Sequence, residues 1–168
     1  YSNKGSFDLF DPDSLLSAFS ENQRVEVTQV MDGKEIPMGT YYLDSWANDS
    51  EDTGTFTAIS PIGILDKTNF HGDIYKDKTA KDIIDSIMDS AGWTDYEIAD
   101  ELQQAKLSGW IPICTHREAL QQVAFALRAV VEDNRGNTIH IRRNLRSYGR
   151  LIPRGRKIEG GTLTLDSY

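Results

Sequence analysis

The chain has 168 residues, 39% hydrophobic and 26% charged, with a formal net charge of −8. That is enough to bury a real core in one domain or two small ones. No run approaches the roughly 18 apolar residues of a membrane span, no charged-then-apolar leader opens the chain, and the single cysteine, Cys114, excludes an internal disulfide. The charge is unevenly placed: residues 1–127 hold 9 Lys/Arg against 22 Asp/Glu, whereas residues 128–157 hold 9 against 2. An acidic body thus ends in a basic stretch.

In chain order, Asp8 to Ser14 predicts a short helical turn, capped by Asp13 or Ser14, with Leu15, Leu16 and Phe19 as its apolar contacts. Arg24 to Val30 alternates as a half-buried strand should. Asp32-Gly33 is a short-loop hairpin signal, and its return strand runs from Glu35 through Trp46. Within that strand Pro37 argues for an edge or a bulge, and Gly39 for a bulge or a close backbone approach. Asn48 to Gly54 reads as an exposed acidic loop, followed by a third strand from Thr55 to Ser60. Three strands with short connections predict an antiparallel meander, the start of a barrel or sandwich.

Past Pro61, Ile62, Ile64 and Leu65 predict a helical turn covering one end of the sheet, and Asn69 to Lys78 a linker-like loop. Thr79, with Asp82 at its third position, caps a helix whose buried stripe is Ile83, Ile84, Ile87, Met88 and Ala91, and Gly92 ends it. Asp95 to Ala105 fits either a helix, through Ile98 and Leu102, or an edge strand at Tyr96-Glu97-Ile98. Leu107 to Ile113 is extended, since Pro112 disfavours helix before it. Thr115 and Glu118 make a capping box for a second long helix. Leu120, Val123, Ala124, Leu127 and Val131 mark one face, and Phe125 and Ala126 another, so this helix is expected to be apolar nearly all round and buried. Val130-Val131, the turn residues Asp133 to Asn137, and Thr138 to Arg142 then predict a hairpin. A strand at Thr162 to Leu165 closes the sequence, and the chain reads as a piece of something longer.

Four segments together carry a resemblance: Ile36 to Asp44, Ile62 to Lys67, Gly109 to Pro112, and Arg117 to Ala126. With them the chain resembles, over residues 24 to 142, the tail hub proteins of long-tailed bacteriophages and prophages, also called baseplate hub or tail-associated proteins. The resemblance implies a ring-forming structural protein of the virion tail, assembled in the bacterial host cytoplasm. Such proteins are usually trimeric and combine β-barrel modules with a helix-containing one. Some relatives of this kind continue into a cell-wall-degrading domain; any such activity is expected outside these residues. The fold class expected is therefore α+β: an antiparallel β-barrel-like module from residues 1–66, completed by 143–168, with an inserted helix-and-hairpin module at 67–142.

Chemistry finds little support in the residue pattern. Cys114 and His116 invite a thiolate–imidazole reading, but no third, orienting group has a candidate. His71, His116 and His140 are far apart, and Asp8, Asp11 and Asp13 lack the glycine and distal glutamate of a calcium loop. No glycine-rich phosphate cradle occurs. No enzyme activity, cofactor, metal or small-molecule substrate is expected. The basic residues Arg142, Arg143, Arg146, Arg150, Arg154, Arg156 and Lys157 could track a nucleic-acid backbone, or could dock on the acidic surface of a neighbouring subunit; the second reading suits an acidic body better. Tyr41 and Tyr42, adjacent in a strand, must face opposite ways, and the outward one is a candidate partner contact.

Overall fold

A computed structural model describes residues 4–10, 18–48 and 53–144. Its architecture is mixed α+β, with an antiparallel sheet that curls into a half-barrel. The sheet contains β1 (Lys4–Phe10), β2 (Arg24–Met31), β3 (Lys34–Asn48) and β4 (Thr53–Ile59), in the order β1-β4-β3-β2.

Local chemistry sets the β2–β3 hairpin. Asp32 and Gly33 both take positive φ, 49° and 74°, as the right-handed twist of a two-residue connection requires. Val27 pairs with Gly39 and Thr28 with Pro37, so Met38 is an extra residue and the bulge expected at Pro37 and Gly39 is present. A second bulge falls at Asp44, between the pairs Leu43–Ala58 and Ser45–Thr57. It turns the Asp44 carboxylate onto Lys67, at 3.0 Å, and Lys4, at 3.4 Å. Those two amines, Lys67 above all, hold Asp44 below the usual carboxylate range.

β1 corrects the first expectation. Asp8 to Phe10 continue a strand, with Phe7 opposite Phe56 and the two rings stacked 5.1 Å apart. Pairing with a strand far along the chain prevails over a local capping pattern. The remainder of the expected turn, residues 11–17, lies outside the described residues, as do most of the acidic loop and the closing strand at Thr162 to Leu165.

After the sheet come α1 (Pro61–Ile64), β5 (Asn69–Phe70), β6 (Asp73–Thr79), α2 (Ala80–Ala91), β7 (Tyr96–Ile98), α3 (Asp100–Gln103), β8 (Lys106–Ile111), β9 (Cys114–Thr115), α4 (His116–Ala126), β10 (Ala129–Glu132) and β11 (Ile139–Arg143). The expected loop at Asn69 to Lys78 is replaced by β5 and β6, which pair antiparallel with β9 and β8 into one interrupted ribbon. At the interruption Gly72 (φ +77°) lets the backbone of Ile111 to Ile113 approach; an added Cβ would sit 2.9 Å from the Ile111 carbonyl oxygen. The ambiguous stretch from Asp95 holds a strand and a helical turn in succession. The expected hairpin β10–β11 forms, and β11 also pairs in parallel with β7.

Both long helices start as their caps dictate. Thr79 accepts from the Asp82 N–H, and Gly92 ends α2 in left-handed conformation with Trp93 N–H donating to Met88 O. Thr115 and Glu118 complete the capping box of α4 in both directions. The expectation that α4 is buried all round is corrected, because Phe125 is 86% exposed. Two residues on a helix turn the side chain by about 200°, so Phe125 points away from the face that Val123 buries.

The main core lies in this second region, the body. Phe70, Ile84, Ile87, Met88, Leu120 and Ile139 pack there with Ile62 and Leu65 from the α1 turn. Ile62 and Leu65 thus tie the end of the sheet into the body.

Candidate assembly surface

The sheet meets the body at a seam built from two loops and a strand. Tyr42 of β3 donates its hydroxyl hydrogen bond to Asn137 Oδ1, and Asn137 Nδ2 donates in turn to the Asp95 carboxylate. Trp93 Nε1 donates to the Asp95 carbonyl at 2.9 Å and sets its ring edge-on to Tyr42, centroids 5.5 Å apart. Beside them Thr40 N–H donates to the Arg135 carbonyl at 3.0 Å. That approach needs Gly39, whose Cβ would lie 3.1 Å from the same oxygen. Hydrogen bonds from Asn137, then Thr138, hold Asp95 ionised below the ordinary carboxylate range, while burial pushes the Tyr42 hydroxyl up. The seam is a fixed joint: its polar groups are spent on one another.

Tyr41 and Tyr42 do take opposite faces. Tyr41 lies edge-on to Phe7, 6.3 Å away, on the face where Phe7 stacks on Phe56. Tyr42 is occupied by the seam. Arg142 forms an ion pair with Glu132 across the β10–β11 hairpin, which holds Glu132 below its ordinary range. Arg143 is exposed and lines a shallow hollow with Phe125, Leu127 and Arg128. Arg146, Arg150, Arg154, Arg156 and Lys157 lie outside the described residues.

Cys114 and His116 have separate partners. The His116 ring is buried, with Nδ1 2.8 Å from the Thr68 hydroxyl and Nε2 3.1 Å from the Ser90 hydroxyl. Burial lowers its pKa, so the ring is neutral over a wider range than a free imidazole. Cys114 Sγ accepts from Gln122 Nε2 at 3.8 Å, and burial with the nearby Glu118 charge raises the thiol pKa. The thiol is therefore kept protonated, the reverse of an activated nucleophile. Among the described residues no group of three His, Cys, Asp or Glu side chains could hold a metal ion, and no helix is long and apolar enough to cross a membrane.

What sequence reasoning missed is apolar and exposed. Val30, Met31 and Ile36 project from the β2–β3 hairpin tip, and Ile74, Trp110, Ile113 and Phe125 from the body. The residue types were visible, but exposure depends on which face the fold leaves open.

No family model matches the chain, and no curated protein does. Solved structures do. The 43 kDa tail protein of prophage MuSo2 from Shewanella oneidensis superposes with a TM-score of 0.52 and 17% identity, covering 84% of this chain and 46% of that one. The fold is that of prophage tail proteins. A tail protein from Neisseria meningitidis MC58 superposes with a TM-score of 0.59 and 18% identity, covering 83% of this chain and 41% of its own. This tail-protein fold spans less than half the length of either neighbour.

Proposed function

We propose that this chain is a structural component of a phage or prophage tail tip or baseplate hub, acting by protein–protein assembly without turnover. The observation that carries the reading is the shared fold, which extends over 84% of the chain in one tail protein and 83% in another. The seam supports it, since a joint of mutually satisfied groups suits a part that bears contacts. The partners are other tail proteins, and the basic stretch 142–157 docks on acidic surface of a neighbour. Arg142 adds to neither this docking nor a nucleic-acid role, because its guanidinium is engaged by Glu132.

The test is made on particles. An antibody against the chain, viewed by electron microscopy, should label one end of the tail, and deletion of its coding sequence should leave tails incomplete. Complete, unlabelled tails after deletion would overturn the reading. A charge-reversed 142–157 segment that still assembles normally at low salt would remove the docking assignment alone.

A further inference from the structure

We propose that the groove between β8 and α4 takes an extended segment of another polypeptide, which pairs its backbone with the open edge of β8 and sets one apolar side chain into the hollow at Gly109. This rests on the assembly reading above and names the kind of partner that one surface fits.

β8 has β6 on one side and, among the described residues, no strand on the other. Open strand edges are ordinarily guarded by charge, proline or a bulge. The other strand of this ribbon, β6, carries Asp73, Lys76, Asp77 and Lys78. Leu107 to Ile111 carry neither charge nor proline; Lys106 and Pro112 stand at the two ends. The extra residue of the ribbon's bulge falls on β6, between Tyr75 and Lys78, which leaves β8 regular.

A hollow of about 160 Å³ runs along that edge. Every residue from Leu107 to Ile111 touches it, and successive strand residues face opposite ways, so a surface reaching all five follows the backbone. β6 contributes only Tyr75, whereas α4 supplies Gln122, Val123 and Ala126 as the facing wall. Gly109 makes the room: a Cβ there would meet nothing within 4 Å. An apolar cavity of about 150 Å³ holds a benzene ring, so the space matches one side chain of leucine or phenylalanine size.

The chemistry of the groove selects its occupant. A row of unpaired N–H and C=O groups at strand spacing is matched by another extended backbone, and main-chain hydrogen bonds then carry the affinity without a continuous apolar seat. Trp110, 68% exposed, borders the hollow, and Phe125, 86% exposed, borders the depression that adjoins it at Gln122. That depression also holds Glu118 and Gln121, so the segment is apolar at the hollow and neutral or basic where it passes α4.

The experiment selects yeast-displayed random peptides of about twelve residues, long enough to span β8, on the whole chain. Two variants block the groove from different elements: Gly109→Leu fills the hollow, and Ala126→Arg lays a long side chain over it from an exposed position on α4. Circular dichroism and melting curves matching wild type establish that each folds. Selected peptides should share an apolar residue and bind each variant at least about tenfold more weakly than wild type. N-methylation of alternate backbone amides in the peptide should weaken binding to wild type as much, and bound peptide should slow hydrogen exchange within Leu107 to Ile111. These last two readings use wild type, so they stand even if a variant fails to fold. An absence of binders, or binders that keep their affinity for folded variants, would overturn the proposal. Binding indifferent to N-methylation would reduce the groove to a side-chain pocket and overturn it as well. Concentration-dependent sedimentation of wild type that Gly109→Leu abolishes would make a second copy the occupant, with the same consequence. The tail-labelling result is independent of all of these, so this contact can fail while the assembly reading stands.

Discussion

The half-barrel sheet and the body bury themselves by different means. The body closes a contiguous aliphatic core around Phe70, Ile84, Ile87, Met88 and Leu120, with both long helices capped at their starts. The sheet has Leu43 and Ala58 fully buried and a cluster of aromatic contacts at Phe7, Tyr41 and Phe56, yet its hairpin tip remains bare. The body encloses its own core. A sheet of this kind depends on what it leans against, here the seam at Tyr42, and it leaves surface for something else. The body encloses most of the buried core, and both regions leave apolar surface exposed, at the hairpin tip and at Ile74, Trp110, Ile113 and Phe125.

The comparison is broken most severely by Phe70→Ala. Phe70 is fully buried in the body, and its loss should cost roughly 3–5 kcal/mol in urea unfolding, through lost transfer energy and a cavity. Trp93 and Trp110 report the body and Trp46 the sheet, so single-tryptophan versions can follow each region separately. If Trp46 responds to Phe70→Ala as strongly as Trp93, the two regions unfold as one unit.

Tyr42→Phe tests the joint between them. It removes the hydroxyl that donates to Asn137 and leaves that amide oxygen short of a partner, which should cost about 1–2 kcal/mol. A change too small to measure would mean that the ring packing on Trp93 holds the seam without the hydrogen bond.

Acid separates the regions in another way. Burial lowers the folded pKa of His116, so the unfolded chain takes up this proton first as pH falls through about 6.5. Stability contributed by the neutral ring is present above that value and is lost below it, until the folded form is protonated too. The slope is at most about 1.4 kcal/mol per pH unit for one proton. His116→Asn should remove that component from the pH dependence of urea midpoints; an unchanged slope would locate the acid sensitivity elsewhere. The smallest effect belongs to the tip: Val30→Ser should leave stability within about 0.5 kcal/mol, since the side chain is already in water.

Much of this arrangement can be read before any folding. Asp32-Gly33, the bulge residues Pro37 and Gly39, the Thr79 and Thr115 caps and the Gly92 stop all sit where the residue types place them. The strands that escape such reading are β1, β5 and β6, each paired to a partner well separated in sequence. The assembly surface was the least legible part. Tyr41 and Tyr42 take opposite faces as expected, but the role of Asn137 and Asp95 in occupying Tyr42 depends on strand β3 and two separate loops meeting.

By itself the sequence determined where helices start, where the hairpin turns and where the backbone must yield, because those outcomes involve donors, acceptors and steric limits within a few residues of one another. Only the tertiary structure decided that residues 8–10 are strand, that Phe125 faces water and that Tyr42 is spent on a joint. Burial and long-range register are properties of two surfaces brought together, and neither surface alone contains the other's position.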